Sequence, residues 1–247
     1  MKISLNTALF LVIAFQPLIS KAQLSICYDH DGYTNVRKLA SINGKVIGKI
    51  IEGQAFAIAS YTQEEENKST DWIAINFPTG NSKNVENILK FSGEEQLGYV
   101  HKSRLIRLED LSILKRTEIE DKKIIHHNDV LEVTIETQTF LPKDHKMVQK
   151  KEGNYLIDDK NAFRYYGGET TEIKSITLKS KNKNHIFPPA TFKNLFGVSA
   201  LNTKVYEGKK NEYYIEFDAG DGSDSYNIVY CWKNGRVFSM TVTSSIP

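Results

Sequence analysis

The sequence lacks an excess of charge of either sign. It contains 32 lysine and arginine residues against 30 aspartate and glutamate residues, a formal net charge of +2 at pH 7. Lys2 and Lys21 lie in the first 22 residues, so the remainder of the chain is close to neutral. Proteins that bind nucleic acid draw much of their affinity from a strongly basic face. The charge balance therefore argues against a nucleic-acid partner, and the lysine-rich stretch 179–183 is interpreted as a solvated loop.

No apolar run is long enough to cross a membrane as a helix, which takes about 20 residues. The longest run, residues 8–19, is interrupted by a glutamine and a proline. It follows the basic Lys2 and precedes residues 20–22, Ser-Lys-Ala, which place small side chains where signal peptidase requires them for a cut before Gln23. Residues 1–22 are therefore predicted to be a cleaved signal peptide. The mature protein is predicted to be periplasmic or secreted, with no transmembrane segment.

Cysteine is scarce, with Cys27 and Cys231 as the two in the chain. An oxidising compartment permits a bridge between them, which would close a very long loop. The alternative is two buried, unpaired thiols, and the sequence leaves both open. Cys27 also ends a Leu-Ser-Ile-Cys stretch that resembles a lipobox, the motif in which cysteine becomes lipidated. Ile26 is bulky where that motif has a small residue, so a lipid anchor at Cys27 is the minor alternative.

Short apolar segments separated by glycine or polar turns fill the chain up to residue 108. Strands this short and this regularly interrupted are typical of a small barrel or sandwich. A long polar insertion, residues 76–95, precedes the last of them. The predicted strands of this part are residues 48–53, 56–59, 72–75 and 97–100.

Beyond residue 109 the apolar segments lengthen. Residues 131–139 alternate apolar or threonine side chains with polar ones, the pattern of a strand with one buried face. Residues 234–235, Asn-Gly, separate the last two segments and favour a type I′ hairpin turn, because both residue types tolerate a positive φ. The other predicted strands are residues 173–178, 213–217, 226–232 and 236–242.

Helix signals are few. Two prolines at 188–189 open a predicted short helix over residues 190–196, and Gly197 ends it. The predicted fold class is therefore mainly β. A small barrel over residues 23–108 precedes a β-rich domain with this short helix over residues 109–247.

The first domain resembles the bacterial SH3 (SH3b) family. Residues 31–37, Asp-Gly-Tyr-Thr-Asn-Val-Arg, are similar to that family's Asn-Val-Arg strand, and residues 71–75 to its tryptophan-containing third strand. Residues 98–105 are similar to its closing strand and short 3₁₀ turn, and residues 46–50 and 53–56 follow at the expected spacing. The resemblance implies an SH3-like barrel. A signal peptide followed by such a domain is similar in layout to exported proteins of the Bacteroidetes type.

The resemblance also implies a groove lined by aromatic rings, which would hold an extended peptide or a glycan-linked peptide. Tyr33, Trp72 and Tyr99 are the groove residues that we predict. The two tyrosines suit a groove because the edge of a tyrosine ring can stay in water, whereas Trp72 has the alternative of filling the barrel core. Residues 38–44 and the insertion 76–95 depart from the family at the rim of the groove, so peptidoglycan binding does not simply carry over.

No arrangement of residues in the sequence indicates a catalytic centre, a metal site or a cofactor. A thiol peptidase needs a histidine base, and its cysteine normally precedes that histidine. No histidine follows Cys231, and Cys27 lies at the start of the barrel. The histidines lack zinc-site spacing, and the adjacent His126 and His127 would point to opposite faces of a strand. The acidic loop 218–224 partly resembles a calcium-binding turn but lacks the neighbouring repeats that complete one.

The sequence is therefore interpreted as that of a non-catalytic exported binding protein. Its SH3-like module would contact a peptide, the cell wall or a protein partner in the envelope. One specialised form is an immunity-type protein that neutralises a toxin. The alternative from another class is an envelope hydrolase with an unrecognised site in the C-terminal domain, where Asp158 and Asp159 form an acidic pair. Consecutive carboxylates do not make a site by themselves.

Overall fold

The structure is a computed structural model that describes residues 22–59, 71–83, 87–151, 153–181, 183–209 and 211–245. All but the last residue of the predicted signal peptide lie outside the described residues. The described part of the chain consists of strands joined by turns and single 3₁₀ turns, which confirms the prediction of a mainly β fold. None of its helices is long and apolar enough to cross a membrane.

Two groups of strands follow one another along the chain. The first group comprises β1 (Gln23–Cys27), β2 (Tyr33–Arg37), β3 (Val46–Ile51), β4 (Ala55–Ile58), β5 (Trp72–Lys83), β6 (Leu89–His101) and β7 (Leu105–Arg107). The second comprises β8 (Ser112–Ile113), β9 (Lys115–Glu120), β10 (Lys123–His127), β11 (Leu131–Phe140), β12 (Met147–Gln149), β13 (Tyr155–Ile157), β14 (Lys160–Asn161), β15 (Thr170–Ser180), β16 (Lys183–Ile186), β17 (Thr203–Glu207), β18 (Tyr213–Ala219), β19 (Tyr226–Lys233) and β20 (Arg236–Ser244).

The first group of strands, β1 to β7, surrounds one apolar cluster, and we refer to this group as the barrel. Inward-facing side chains on successive strands form the cluster: Cys27, Val36, Ile50, Phe56, Ile75, Phe77 and Val100. Gly98 is required where β2 crosses β6, because a Cβ there would lie 2.3 Å from Cγ1 of Val36. A 3₁₀ turn over Lys102–Arg104 follows β6, at the position that the sequence predicted.

The polar segment predicted as an insertion, residues 76–95, belongs largely to β5 and β6. These strands pair antiparallel, beginning with Trp72 opposite His101, and extend well beyond the barrel. Polar residues suit the extension because its side chains are mostly exposed. Residues 89–91 of β6 then pair in parallel with residues 239–241 of β20. The insertion is therefore the element that connects the barrel to the second half of the chain.

The largest sheet contains strands from both halves. It has twelve strands, ten of them in the order β7-β1-β4-β5-β6-β20-β19-β18-β17-β8, with β2 and β3 attached beside β6. The predicted boundary at residue 109 lies between β7 and β8, the two ends of this sheet. The sheet curls on itself, so that Leu24 and Ile26 of β1 share a buried cluster with Tyr214, Val229 and Cys231.

The outer face of this curl packs against a second sheet to form a sandwich. The second sheet has the order β16-β15-β11-β10-β9. The alternation predicted for residues 131–139 is confirmed, since Leu131, Val133 and Ile135 are buried and pack in one cluster with Phe217 of β18. The predicted strands at 173–178, 213–217, 226–232 and 236–242 lie within β15, β18, β19 and β20.

Two local predictions near the end of the chain have opposite outcomes. The hairpin between β19 and β20 is confirmed, with positive φ at Asn234 (53°) and Gly235 (75°). The prediction of a helix over residues 190–196 is wrong, because the segment contains only a single 3₁₀ turn over Pro189–Thr191. Phe192 and Phe196 are both buried there. Packing of these rings, rather than continuous helical hydrogen bonding, fixes this segment.

Candidate functional site

The outer face of the barrel contains all three aromatic residues predicted to line a groove, and strand alternation and register place Tyr33 and Tyr99 there. On β2, Thr34 and Val36 are buried, so Tyr33 and Arg37 lie on the opposite face. Arg37 is paired in register with Tyr99 of β6. Directly opposite residues share a face, so Tyr99 lies with Arg37 on the outside of the barrel.

Trp72 joins the same face through the register of β5 and β6. Trp72 lies opposite His101. The next pair on the same face is Ala74 opposite Tyr99. The rings of Trp72 and His101 meet edge to face with their centroids 5.5 Å apart. The guanidinium carbon of Arg37 lies 5.9 Å from the centroid of the Trp72 ring. Trp72 is therefore a partly exposed residue of the outer face, and the barrel core is filled by other side chains.

Tyr33 forms the far end of this surface. Its side chain is 37% exposed, and Nζ of Lys49 lies 4.2 Å from the centroid of its ring. Tyr33 and Arg37 are four residues apart on one strand, which corresponds to roughly 13 Å at about 3.3 Å per residue. We call Tyr33, Arg37, Lys49, Trp72 and Tyr99 the aromatic–cationic face.

A hydrogen bond to the neighbouring loop holds one cation of the face, Arg37, in place. Nη1 of Arg37 donates to the carbonyl oxygen of Gly44 at 2.8 Å, which ties the side chain to the β2–β3 loop. At the edge of the face, Nζ of Lys102 lies 2.8 Å from Oδ1 of Asp71. The hydrogen bond and the charge of Lys102 lower the pKa of Asp71. Lys102 neutralises that carboxylate, whereas Arg37 and Lys49 make no ion pair with any described residue.

The chemistry of this face is that of a binding surface. Aromatic rings bind planar and apolar groups, and the flanking cations favour carboxylates or other anions. The face is open and runs along a strand, which suits an extended ligand better than a compact one.

The two cysteines are free and buried, so the bridge that the sequence left open is not formed. Cys27 lies in the barrel cluster and Cys231 in the cluster inside the curled sheet. Burial, and in second place a nearby carboxylate, raises the pKa of each thiol to about 12. Because the thiolate is the reactive form, neither residue is an activated nucleophile. The burial of Cys27 also argues against its lipidation.

The paired histidines point to opposite faces of β10, as their adjacency predicts. His126 is 1% exposed and its Nε2 lies 2.9 Å from Oγ1 of Thr203. Burial, together with the smaller effects of the charges of Arg116 and His127, lowers the pKa of His126 to about 4. Among the described residues, no three histidine, cysteine or acidic side chains converge as a metal site.

The acidic residues considered for chemistry are occupied by structural contacts. Asp158 lies 2.8 Å from Nδ1 of His145, and Asp159 lies 2.7 Å from Nζ of Lys146, at the turn between β13 and β14. In the loop 218–224, Oδ1 of Asp224 accepts hydrogen bonds from Arg164 and Tyr166. The carboxylates of Asp158, Asp159 and Asp224 are therefore each held by a neighbouring cation or by hydrogen bonds.

Sequence reasoning missed the cations of the face. Arg37 belongs to the motif strand 31–37, and the alternation of Tyr33, Asn35 and Arg37 in that strand is the signal that places it outward. Lys49 carries no such signal, because its position over Tyr33 depends on the register of β3 against β2. Sequence reasoning also missed a polar cleft of about 380 Å³ beside β17 and β18, where the Tyr206 hydroxyl donates to Glu216 at 2.6 Å.

Comparisons with known proteins identify no relative. No protein-family model matches the chain. No curated protein matches it, and no solved structure does.

Proposed function

We propose that this protein is a non-catalytic exported binding protein, and that its SH3-like barrel holds an extended, carboxylate-bearing peptide on the aromatic–cationic face. A peptide stem of the cell wall and an acidic segment of an envelope protein both present this chemistry. The observation that carries the proposal is the convergence of Tyr33, Trp72 and Tyr99 on one outer face with two cations that have no acidic partner among the described residues.

The arrangement is organised before any ligand arrives. Arg37 is held by Gly44 and lies over the Trp72 ring, and Lys49 lies over the Tyr33 ring. Side chains that are already ordered lose less conformational entropy on binding. The span of roughly 13 Å between the ends of the β2 segment matches about four residues of an extended peptide.

Three further observations support the other parts of the proposal. Strands β1 to β7 surround a single core and β6 is followed by a 3₁₀ turn, which fits an SH3-like barrel. The three-part pattern of residues 1–22 supports export to the periplasm or beyond. The buried, high-pKa thiols and the occupied acidic pair favour binding over hydrolysis.

Sedimentation with purified peptidoglycan, together with affinity capture from an envelope extract, tests the proposal. We expect the chain from Gln23 onward to bind, and the double variant Tyr33→Ala/Tyr99→Ala to bind about tenfold more weakly at unchanged thermal stability. Tyr166→Ala is the matched control, because Tyr166 is an exposed tyrosine of the second half. Equal retention of the double variant and the unaltered chain in both assays would overturn the proposal.

A further inference from the structure

A second surface lies in the second half of the molecule, where β16 approaches the β19–β20 hairpin and the rings of His185 and Trp232 meet. A groove of about 320 Å³ runs between them. Its apolar lining consists of Ile88, Ile186, Pro188, Trp232 and Val237. Ile186 is 72% exposed, the highest value among the large apolar side chains of the described residues. Ile186 adjoins the other apolar residues of the groove and extends them into one patch, and contiguous apolar patches mark contact surfaces.

The strand that borders this groove has an open edge. β16 is the last strand of its sheet and pairs only with β15 among the described strands. The N–H of Phe187 donates to the carbonyl oxygen of Ile176. Hydrogen-bonded pairs alternate along an antiparallel ladder, so the main-chain groups of Asn184 and Ile186 point away from β15. Both residues are exposed, and together they present two donors and two acceptors to an incoming strand.

The rim of the groove is cationic. Lys181 and Lys183 lie at the β15–β16 turn, and Arg236 lies at the start of β20. All three are exposed, and none forms an ion pair with a described residue. No carboxylate is present among the described residues that line the groove. The lysine-rich stretch, interpreted from the sequence as a solvated loop, therefore lies beside an apolar groove.

We propose that this groove binds an extended acidic peptide segment, which adds to the free edge of β16 as a sixth strand and places an apolar side chain against Trp232. Main-chain hydrogen bonds give affinity in this mode of recognition, and alternate side chains give specificity. Acidic residues flanking the apolar one complement Lys181, Lys183 and Arg236. The site is separate from the aromatic–cationic face and does not depend on the function proposed for it.

The test uses a fluorescent peptide of about eight residues that alternates glutamate with valine or isoleucine. One control peptide has lysine in place of glutamate, and a second carries an N-methyl group on every amide, so that neither of its edges can donate to β16. We expect the full mature chain to bind the acidic peptide and neither control. Ile186→Pro removes one outward donor without touching the β15 ladder, and Ile186→Asp removes the apolar contact. Each is expected to weaken binding about tenfold, the effect of losing roughly 1.4 kcal/mol.

Ile119→Asp is the matched control, because Ile119 is an exposed isoleucine on β9, the opposite edge strand of the same sheet. It is expected to leave the affinity unchanged. Equal binding of the N-methylated peptide, or full binding by Ile186→Pro, would overturn strand addition. Displacement of the peptide by heparin with no effect of Ile186→Asp would show a purely electrostatic surface. Concentration-dependent dimerisation that Ile186→Pro abolishes would assign the edge to a second copy of the chain, also against the proposal.

Discussion

At the scale of single residues, a partly buried lysine between two glutamates joins the two halves of the molecule. Nζ of Lys233 lies 2.7 Å from Oε1 of Glu212 and 2.8 Å from Oε2 of Glu52, at the turn between β3 and β4. The Tyr214 hydroxyl donates to the other oxygen of Glu212 at 3.0 Å. Burial acts to lower the pKa of Lys233, but the hydrogen bonds to the two carboxylates outweigh it and raise the pKa.

Removal of this lysine should destabilise the protein more than removal of an exposed one. Lys233→Met leaves the buried Glu212 carboxylate without its cation, and we expect a loss of about 2–3 kcal/mol in the free energy of unfolding. Urea unfolding measures it. Lys146→Met breaks an exposed pair with Asp159 and should leave the midpoint unchanged. A Lys233→Met midpoint equal to that of the unaltered chain would contradict this assignment.

His126 should make the stability of the protein sensitive to mild acid. Its pKa is lowered from 6.5 to about 4 in the folded state, so the unfolded chain takes up the proton first. The contribution is fully present above pH 6.5 and is lost as the pH falls towards 4, with roughly 3 kcal/mol lost in total. His126→Gln should flatten this part of the stability profile, whereas His127→Gln should not. If the free energy of unfolding falls equally between pH 6.5 and 4 in the unaltered chain, His126→Gln and His127→Gln, the prediction is contradicted.

At the scale of elements, local patterns predicted local structure well. The alternation of residues 131–139 and the Asn234-Gly235 turn both depend on neighbouring residues, and both are confirmed. The parallel pairing of β6 with β20 joins residues about 150 positions apart, since Ser239 lies opposite Leu89. No local periodicity indicates such a distant pairing partner, so the sequence predicted only a polar insertion over residues 76–95. The helix predicted over 190–196 does not form, because the burial of Phe192 and Phe196 outweighs the helix-start and helix-end preferences of the flanking prolines and glycine.

The crossing of β2 over β6 should depend on Gly98. In Gly98→Ala, the new methyl group would lie far inside contact distance of Val36, and we expect overpacking to cost about 1–3 kcal/mol. The displacement would also move Arg37 away from Tyr99, its partner in the register, and weaken binding at the aromatic–cationic face. Adding Val36→Ala makes room for the methyl group and should restore part of the stability. A double variant less stable than both single variants would contradict this account of the crossing.

At the scale of the whole molecule, one curled sheet carries both halves. Ser239 of β20 donates to the carbonyl oxygen of Gly53 at 2.6 Å, and Thr241 accepts from the N–H of Ala55 at 3.1 Å. These buried bonds, the Lys233 ion pair and the shared apolar cluster lie between barrel and sandwich. The two halves should therefore unfold as one cooperative unit.

Cooperative unfolding can be followed with the two tryptophans of the chain. Trp72 reports on the barrel in Trp232→Phe, and Trp232 reports on the sandwich in Trp72→Phe. We expect Phe56→Ala in the barrel core and Phe217→Ala in the sandwich core to lower the midpoint seen by either reporter, because one transition serves both. Separate midpoints, each moved only by the substitution in its own half, would contradict the prediction.

The central claim, that the aromatic–cationic face is the binding site, is tested most directly by the fluorescence of Trp72. The variant Trp232→Phe keeps this tryptophan alone, and it is titrated with soluble peptidoglycan fragments that carry peptide stems and with the partner recovered by affinity capture. We predict a saturable change in Trp72 emission that Tyr33→Ala and Tyr99→Ala weaken. Binding that leaves Trp72 emission unchanged, or that the two tyrosine variants do not weaken, would contradict the claim.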